Sequence, residues 1–266
     1  MSNRSFYHFS ALPMSMRMVY TMTLLVLGTG YLFAMLQVFF THAGLDGKPG
    51  LSAEDIRIAY HGSEHDTRLE KAIKGPMSEM LPAEDKQKVF AWIAAGATAD
   101  GYEKDIKPIV ESRCIACHNG SNPHQPRLDT YEEISKLVAK DSGATIPTLV
   151  RVSHIHLFGI TFIFFIVSSI FAHAYMRPLW LKCVVIVLPF LTILTDIFSW
   201  YLTKWYPGFA WFIIASGALM GVSFAIQWVV SMYQMWFYTL PEDIQQCGGV
   251  LPVLGVSDNP RCDDLG

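Results

Sequence analysis

Five consecutive residues, Cys114-Ile115-Ala116-Cys117-His118, hold the densest chemistry in the chain. Two thiols three residues apart can each add to a haem vinyl group, and a histidine directly after the second is then placed to bind the iron. The competing reading is a zinc site or redox dithiol with an incidental histidine. Zinc takes four well-spread ligands, so adjacent Cys117 and His118 strain a tetrahedral site, and the other nearby donor is His124. The pattern favours one covalently held haem c on Cys114 and Cys117, with His118 on the iron.

A second axial ligand has several candidates. Met77 and Met80 lie in Gly75-Pro76-Met77-Ser78-Glu79-Met80-Leu81, and methionines fill cores as readily as they ligate. His61 and His65 flank Gly62-Ser63-Glu64 and read more simply as exposed polar residues. His124, six residues from His118, needs a tight loop around the haem edge. His42, His154 and His156 fall at the ends of apolar runs at one inferred depth. They could clamp a second haem or a metal ion, or be polar residues at helix ends. His156 and His173 lie about 25 Å apart along one helix and the third and fourth spans contain no histidine, so His173 has no partner inside the bilayer and reads as an interface residue.

The elements that must position these groups divide by composition. Of 266 residues, 52% are hydrophobic and only 16% charged, where a soluble domain has about a quarter charged. Residues 42–150 hold 13 of the 20 Lys+Arg and 17 of the 23 Asp+Glu. The remainder is apolar, which predicts one polar domain set into a membrane protein. A net charge of −3 gives no basic surface for nucleic acid.

The reading is an N-terminal stretch 1–17, spans at 18–41, 151–176, 181–203 and 208–238, a polar domain at 42–150 and a tail at 239–266. Phe39-Phe40-Thr41-His42 closes the first span without a small-residue cleavage site, so it is an uncleaved anchor. Arg4 and Arg17 before it, with Arg177 and Lys182 between the second and third spans, place both termini in the cytoplasm by the positive-inside rule. The polar domain then lies opposite. Gly217 and Gly221 give the last span a close-contact face. Cys247 and Cys262 in the tail read as reduced thiols, a zinc half-site being the alternative.

Within the polar domain, Ser52-Ala53-Glu54-Asp55 and Pro82-Ala83-Glu84-Asp85 open helices, Gly96 ends the second, and Asp129–Glu133 starts another. Ile106, Ile109 and Val110 share one helix face leading into Cys114, and no alternating strand pattern is evident. The expected fold is all-α: a four-helix transmembrane bundle with a small helical domain inserted between the first two spans.

The haem motif and its flanks resemble c-type cytochromes over roughly residues 52–150. Gly75–Leu81 followed by Trp92-Ile93-Ala94-Ala95-Gly96-Ala97 is similar to the methionine-ligand loop and closing helix of that family. The order differs, because the family's methionine usually follows the attachment motif, and here no Met occurs between His118 and Met176. The resemblance implies a periplasmic haem domain on a bacterial inner membrane, passing electrons between the quinone pool or a quinol-oxidising partner and a periplasmic or complex-bound acceptor. The alternatives are a docking subunit of a larger respiratory complex with no quinone site, and a haem-based sensor.

Asp196 is the one acid inside a span, and an ionisable group at such depth is costly enough to be a functional candidate. With His156 and Gln37 at similar inferred depth it could line a quinol pocket. Otherwise it ties helices together.

Overall fold

Four helices are long and apolar enough to cross a bilayer: α1 (Met14–His42), α9 (Ile146–Phe171), α10 (Leu179–Trp205) and α11 (Ala210–Trp236), the last entered through a 3-10 turn at Pro207–Phe209. The structure is a computed structural model that describes residues 5–63, 65–122, 125–242 and 250–252. His124, Cys247 and Cys262 lie outside the described residues. Between α1 and α9 run α2 (Ala53–His61), α3 (Arg68–Lys74), α4 (Ala83–Ala94), α5 (Ala99–Gly101), α6 (Lys107–Ile109), α7 (Ile115–His118) and α8 (Tyr131–Ser135). A short antiparallel pairing of β1 (Ser5–Tyr7) with β2 (Val250–Pro252) is the one departure from the all-α expectation among the described residues.

Two compact units form. The first comprises Met1–Ala34, Val150–Ser199 and Phe212–Gly266. Lipid tails are as apolar as Leu, so close packing and hydrogen bonds must hold this unit together. The α1–α11 contact shows how. A Cβ on Gly28 would come within 2.8 Å of Trp228, and one on Gly221 within 2.9 Å of the Tyr31 hydroxyl. These glycines admit the two large rings. Trp228 Nε1 then donates to the Leu24 carbonyl at 2.8 Å, and Tyr31 stacks on Phe224 at 4.5 Å. Of the expected Gly217/Gly221 face, Gly221 is used this way, whereas among the described residues nothing lies within 4 Å of a Cβ at Gly217.

The second unit comprises Met35–Leu149 and Trp200–Trp211. Ser52 and Thr67 each make a capping box, opening α2 and α3, and Thr130 caps α8. Leu69, Ile73, Leu81, Val89, Trp92, Tyr102, Ile106, Val110, Leu128 and Ile134 form its core. The return segment before α9 is clipped to the end of α2. Gly62 and Gly143 both take positive φ, and a Cβ on either would come within 2.3 Å of a carbonyl oxygen of the facing segment. Lys71 pairs with the buried Asp141 at 2.9 Å.

The helices begin and end a few residues away from the expected span boundaries. The second span starts at Ile146 rather than 151, because Pro147 fits a first helical turn. It ends at Phe171 rather than 176. His173 N and Ala174 N donate three residues back, tightening the last turn, and Pro178 disfavours helix at Arg177. The first span gains a turn at its start, from Met14. The third and fourth run Leu179–Trp205 and Ala210–Trp236.

Candidate functional site

α5, α6 and α7 run on as one helical stretch over 99–118, joined by π turns at Tyr102–Ile106 and Val110–Cys114. Each π turn takes an extra residue into the helix and resets its face. The result buries Tyr102, Ile106, Ile109 and Val110, and leaves Cys114 and Ile115 packed at the core edge. Cys117 falls one turn later and is exposed, so the thiols differ in access while lying on one helical stretch. Both are free. Burial, with the nearby Asp85 charge second, pushes the Cys114 thiol above the ordinary cysteine range. Arg113 reaches Asp85 at 3.8 Å, tying the motif to the start of α4.

After His118 the chain turns at Asn119 and Gly120 and comes back on itself. Leu128 N donates to the His118 carbonyl at 3.1 Å. His118 Nδ1 lies 2.8 Å from the Pro126 carbonyl oxygen, which only a ring N–H can satisfy. That bond puts a proton on Nδ1 and turns Nε2 away from it, so in the neutral ring Nε2 is the nitrogen left to ligate a metal. The donor set, two free thiols at i and i+3 and an oriented imidazole, fits haem c. Pro126 is the partner the sequence reading missed. A proline eight residues after a candidate ligand was its only signal.

Met77 and Met80 are 37% and 68% exposed, so neither is core filler. Leu81 directly after them joins the core that Cys114 and Ile115 border. His65 is exposed, as expected. His61 is not a free polar residue: its Nδ1 bonds the Thr203 and Lys204 carbonyls at the end of α10.

His42 belongs to the second unit, and His154 and His156 to the first. Each directs Nδ1 to the carbonyl four residues back on its own helix. No group of three or more His, Cys, Asp or Glu among the described residues is placed to hold a metal ion. His173 lies beyond α9, with its ring against Phe9 and Tyr20. Gln37 donates to Thr41 on its own helix. Asp196 is buried and accepts from Ser216 Oγ of α11 at 3.0 Å.

Four candidate spans make this a multi-pass membrane protein. A family model described as a transmembrane helical domain matches residues 142–242, which takes in α9, α10 and α11 and none of the Cys114–His118 motif. No curated protein matches the chain. No solved structure matches it.

Proposed function

We propose that the protein is a membrane-anchored monohaem c-type cytochrome of a bacterial inner membrane. In this reading it passes electrons between quinol, or a quinol-oxidising partner, and a periplasmic or complex-bound acceptor. The observation that carries it is the His118–Pro126 bond beside two free cysteines. Cys114 and Cys117 would hold the haem through thioether bonds. His118 would present Nε2 to the iron while Pro126 keeps the ring from turning. Bound there, haem supplies a one-electron couple. Met77 is the preferred second axial ligand and Met80 the alternative, both being exposed in the segment that leads into the core residue Leu81. Should quinol bind directly, Asp196 and His156 are the groups to accept its protons. The helices would otherwise serve to dock the haem domain within a larger assembly.

The test is haem staining of the full-length protein on a denaturing gel. A stained band in the wild type that is lost in Cys114→Ala/Cys117→Ala is expected. An unstained wild type, from cells that mature other c-type haem proteins, overturns the reading.

A further inference from the structure

A cavity of about 270 Å³ lies where α2 ends and the chain returns toward α9, lined by His61, Gly62, Ser63, Lys140, Asp141 and Ser142. All six residues belong to the second unit. The chain around the cavity fixes its level in the membrane. α9 begins at Ile146, four residues after Ser142. His61 Nδ1 lies 2.9 Å from the Lys204 carbonyl oxygen, and Lys204 Nζ donates to the Ser142 and Ala144 carbonyls at 2.9 and 2.7 Å. The last turn of α10 therefore closes onto the same walls. Trp205 and Tyr206 follow at once, 62% and 65% exposed. Exposed Trp and Tyr at the end of a span mark the headgroup layer of a bilayer. The volume falls at the small end for ligand sites, which suits a single polar headgroup and is too little for a whole lipid.

The walls are held in place without a ligand. Gly62 and Gly143 bring the two segments to backbone contact, and Asp141 N donates to the Asp66 carbonyl at 3.1 Å. The charge of the cavity follows from its partners. Among the described lining residues Asp141 is the one acid, and both its oxygens are taken, by Lys71 Nζ at 2.9 Å and Gly143 N at 3.1 Å. Lys140 is exposed and has no carboxylate partner among the described residues, so the cavity keeps a surplus positive charge. The buried Ser63 oxygen accepts from the His65 and Asp66 N–H groups, which leaves its O–H to donate. His61 commits Nδ1 to the end of α10, so in the neutral ring Nε2 is left as an acceptor. An ammonium and a hydroxyl donor beside one imidazole acceptor suit an anion that itself carries a hydroxyl.

We propose that this cavity binds the glycerophosphate headgroup of an anionic phospholipid, phosphatidylglycerol in its chemistry, from the leaflet that borders the insert. The phosphate takes the Lys140 ammonium and the Ser63 O–H, and a headgroup hydroxyl donates to His61 Nε2. The acyl chains remain in the bilayer at the level of Trp205 and Tyr206. A choline headgroup has no hydroxyl or N–H to give His61, and its positive charge meets Lys140. Free glycerol phosphate offers the same polar groups without the tails, and the test separates the two sources. The inference stands apart from the haem reading and uses none of the residues assigned to haem.

The test titrates delipidated full-length protein in detergent with dioleoyl phosphatidylglycerol or dioleoyl phosphatidylcholine and counts bound lipid by native mass spectrometry. Wild type should hold one phosphatidylglycerol about tenfold more tightly than phosphatidylcholine. Lys140→Glu should lose about tenfold for phosphatidylglycerol, as removal of a charge-assisted hydrogen bond does, and change little for phosphatidylcholine. Lys140 is exposed, so the melting temperature of the variant without lipid should match wild type. Lys104→Glu makes the same charge change on an exposed lysine that does not line the cavity, and should bind as wild type does. Equal affinity of wild type for the two lipids overturns the proposal. So does equal binding by Lys140→Glu and Lys104→Glu, which would make any preference a general effect of surface charge. Displacement of the lipid by free glycerol phosphate at equal concentration overturns the membrane source and makes the cavity a site for a soluble phosphate ester.

Discussion

Histidines 118 and 8 differ in what their two ring nitrogens face. His118 commits Nδ1 alone, to the Pro126 carbonyl. His8 commits both: Nδ1 accepts from Ser10 N at 3.1 Å, and Nε2 donates to Gln234 Oε1 at 3.2 Å. That pattern suits the neutral ring, with the Ser10 hydroxyl also 3.0 Å from Nδ1. A second proton would set an N–H against the Ser10 N–H, inside a site where His8 is fully buried. Burial therefore lowers the His8 pKa, and the charges of Lys182, His173 and Arg17 add to the effect against the gain from Gln234. The sign follows from linkage. As pH falls, the unfolded chain takes up this proton at the ordinary histidine value of about 6.5, before the folded protein does. The His8 contribution is whole above that value and is lost as pH falls from it toward the lower folded value. Melting temperature in detergent should drop between about pH 7.5 and about pH 5.5 in wild type, and drop less in His8→Gln. Identical losses in both proteins would rule His8 out as the titrating group. Nothing in the sequence marked His8, since its partner lies 226 residues away.

At the scale of helices, the recurrent device is a polar side chain satisfying carbonyls a helix cannot satisfy itself. Lys182 serves the end of α9, and Arg17, stacked over Trp236, donates to the Met235 carbonyl at the end of α11. His61 serves the end of α10. A donor at a helix C-terminus meets both its unpaired carbonyls and the negative end of its dipole. Arg17 and Lys182 were legible only as charges that orient the chain. Their capping roles depend on which helix end each meets, which no periodicity reveals. Pro189 poses the same problem inside α10, because it has no N–H for the Val185 carbonyl. Ser223 and Gln227 supply the missing donors, at 2.8 and 2.9 Å. The same Gln227 amide accepts from Ser168, so it joins three helices. Gln227→Leu strands these groups and should cost about 1–3 kcal/mol, the penalty of leaving buried polar groups unpaired. Pro189→Ala returns the carbonyl its own donor, so Gln227→Leu should cost less in that background. The check is a double-mutant cycle on melting temperature, in which strict additivity would show that the two positions do not share the Val185 carbonyl.

For the whole molecule, the division into spans and a polar helical insert was plain in the sequence. Apolar runs of bilayer length separate cleanly from the stretch that carries most of the charge. The cap at Ser52, the start of α4 and the helix entering Cys114 were equally legible, because each rests on residues within a few positions of one another. The π turns, the Pro126 contact and the β1–β2 pairing were not, since they depend on local register or on segments far apart in the chain. Topology is the property on which the haem proposal and the fold bear together. With α9, α10 and α11 read as three crossings, the insert and the residues after α11 would fall on opposite sides of a membrane. Four crossings return the end of α11 to the side where α1 begins. That agrees with the pairing of Ser5–Tyr7 and Val250–Pro252. The basic residues argue which side is which, although Lys182 is buried in its capping role and contributes less to that bias than an exposed loop lysine. Arg177 is exposed. An alkaline phosphatase fusion after Gln125 should therefore be active, and one after Tyr238 inactive, with a cytoplasmic reporter giving the converse. Activity of phosphatase at both sites would contradict the odd number of crossings. Activity only after Tyr238 would put Cys114 and Cys117 in the cytoplasm, where thiols are kept reduced, and would remove the compartment in which haem c is attached.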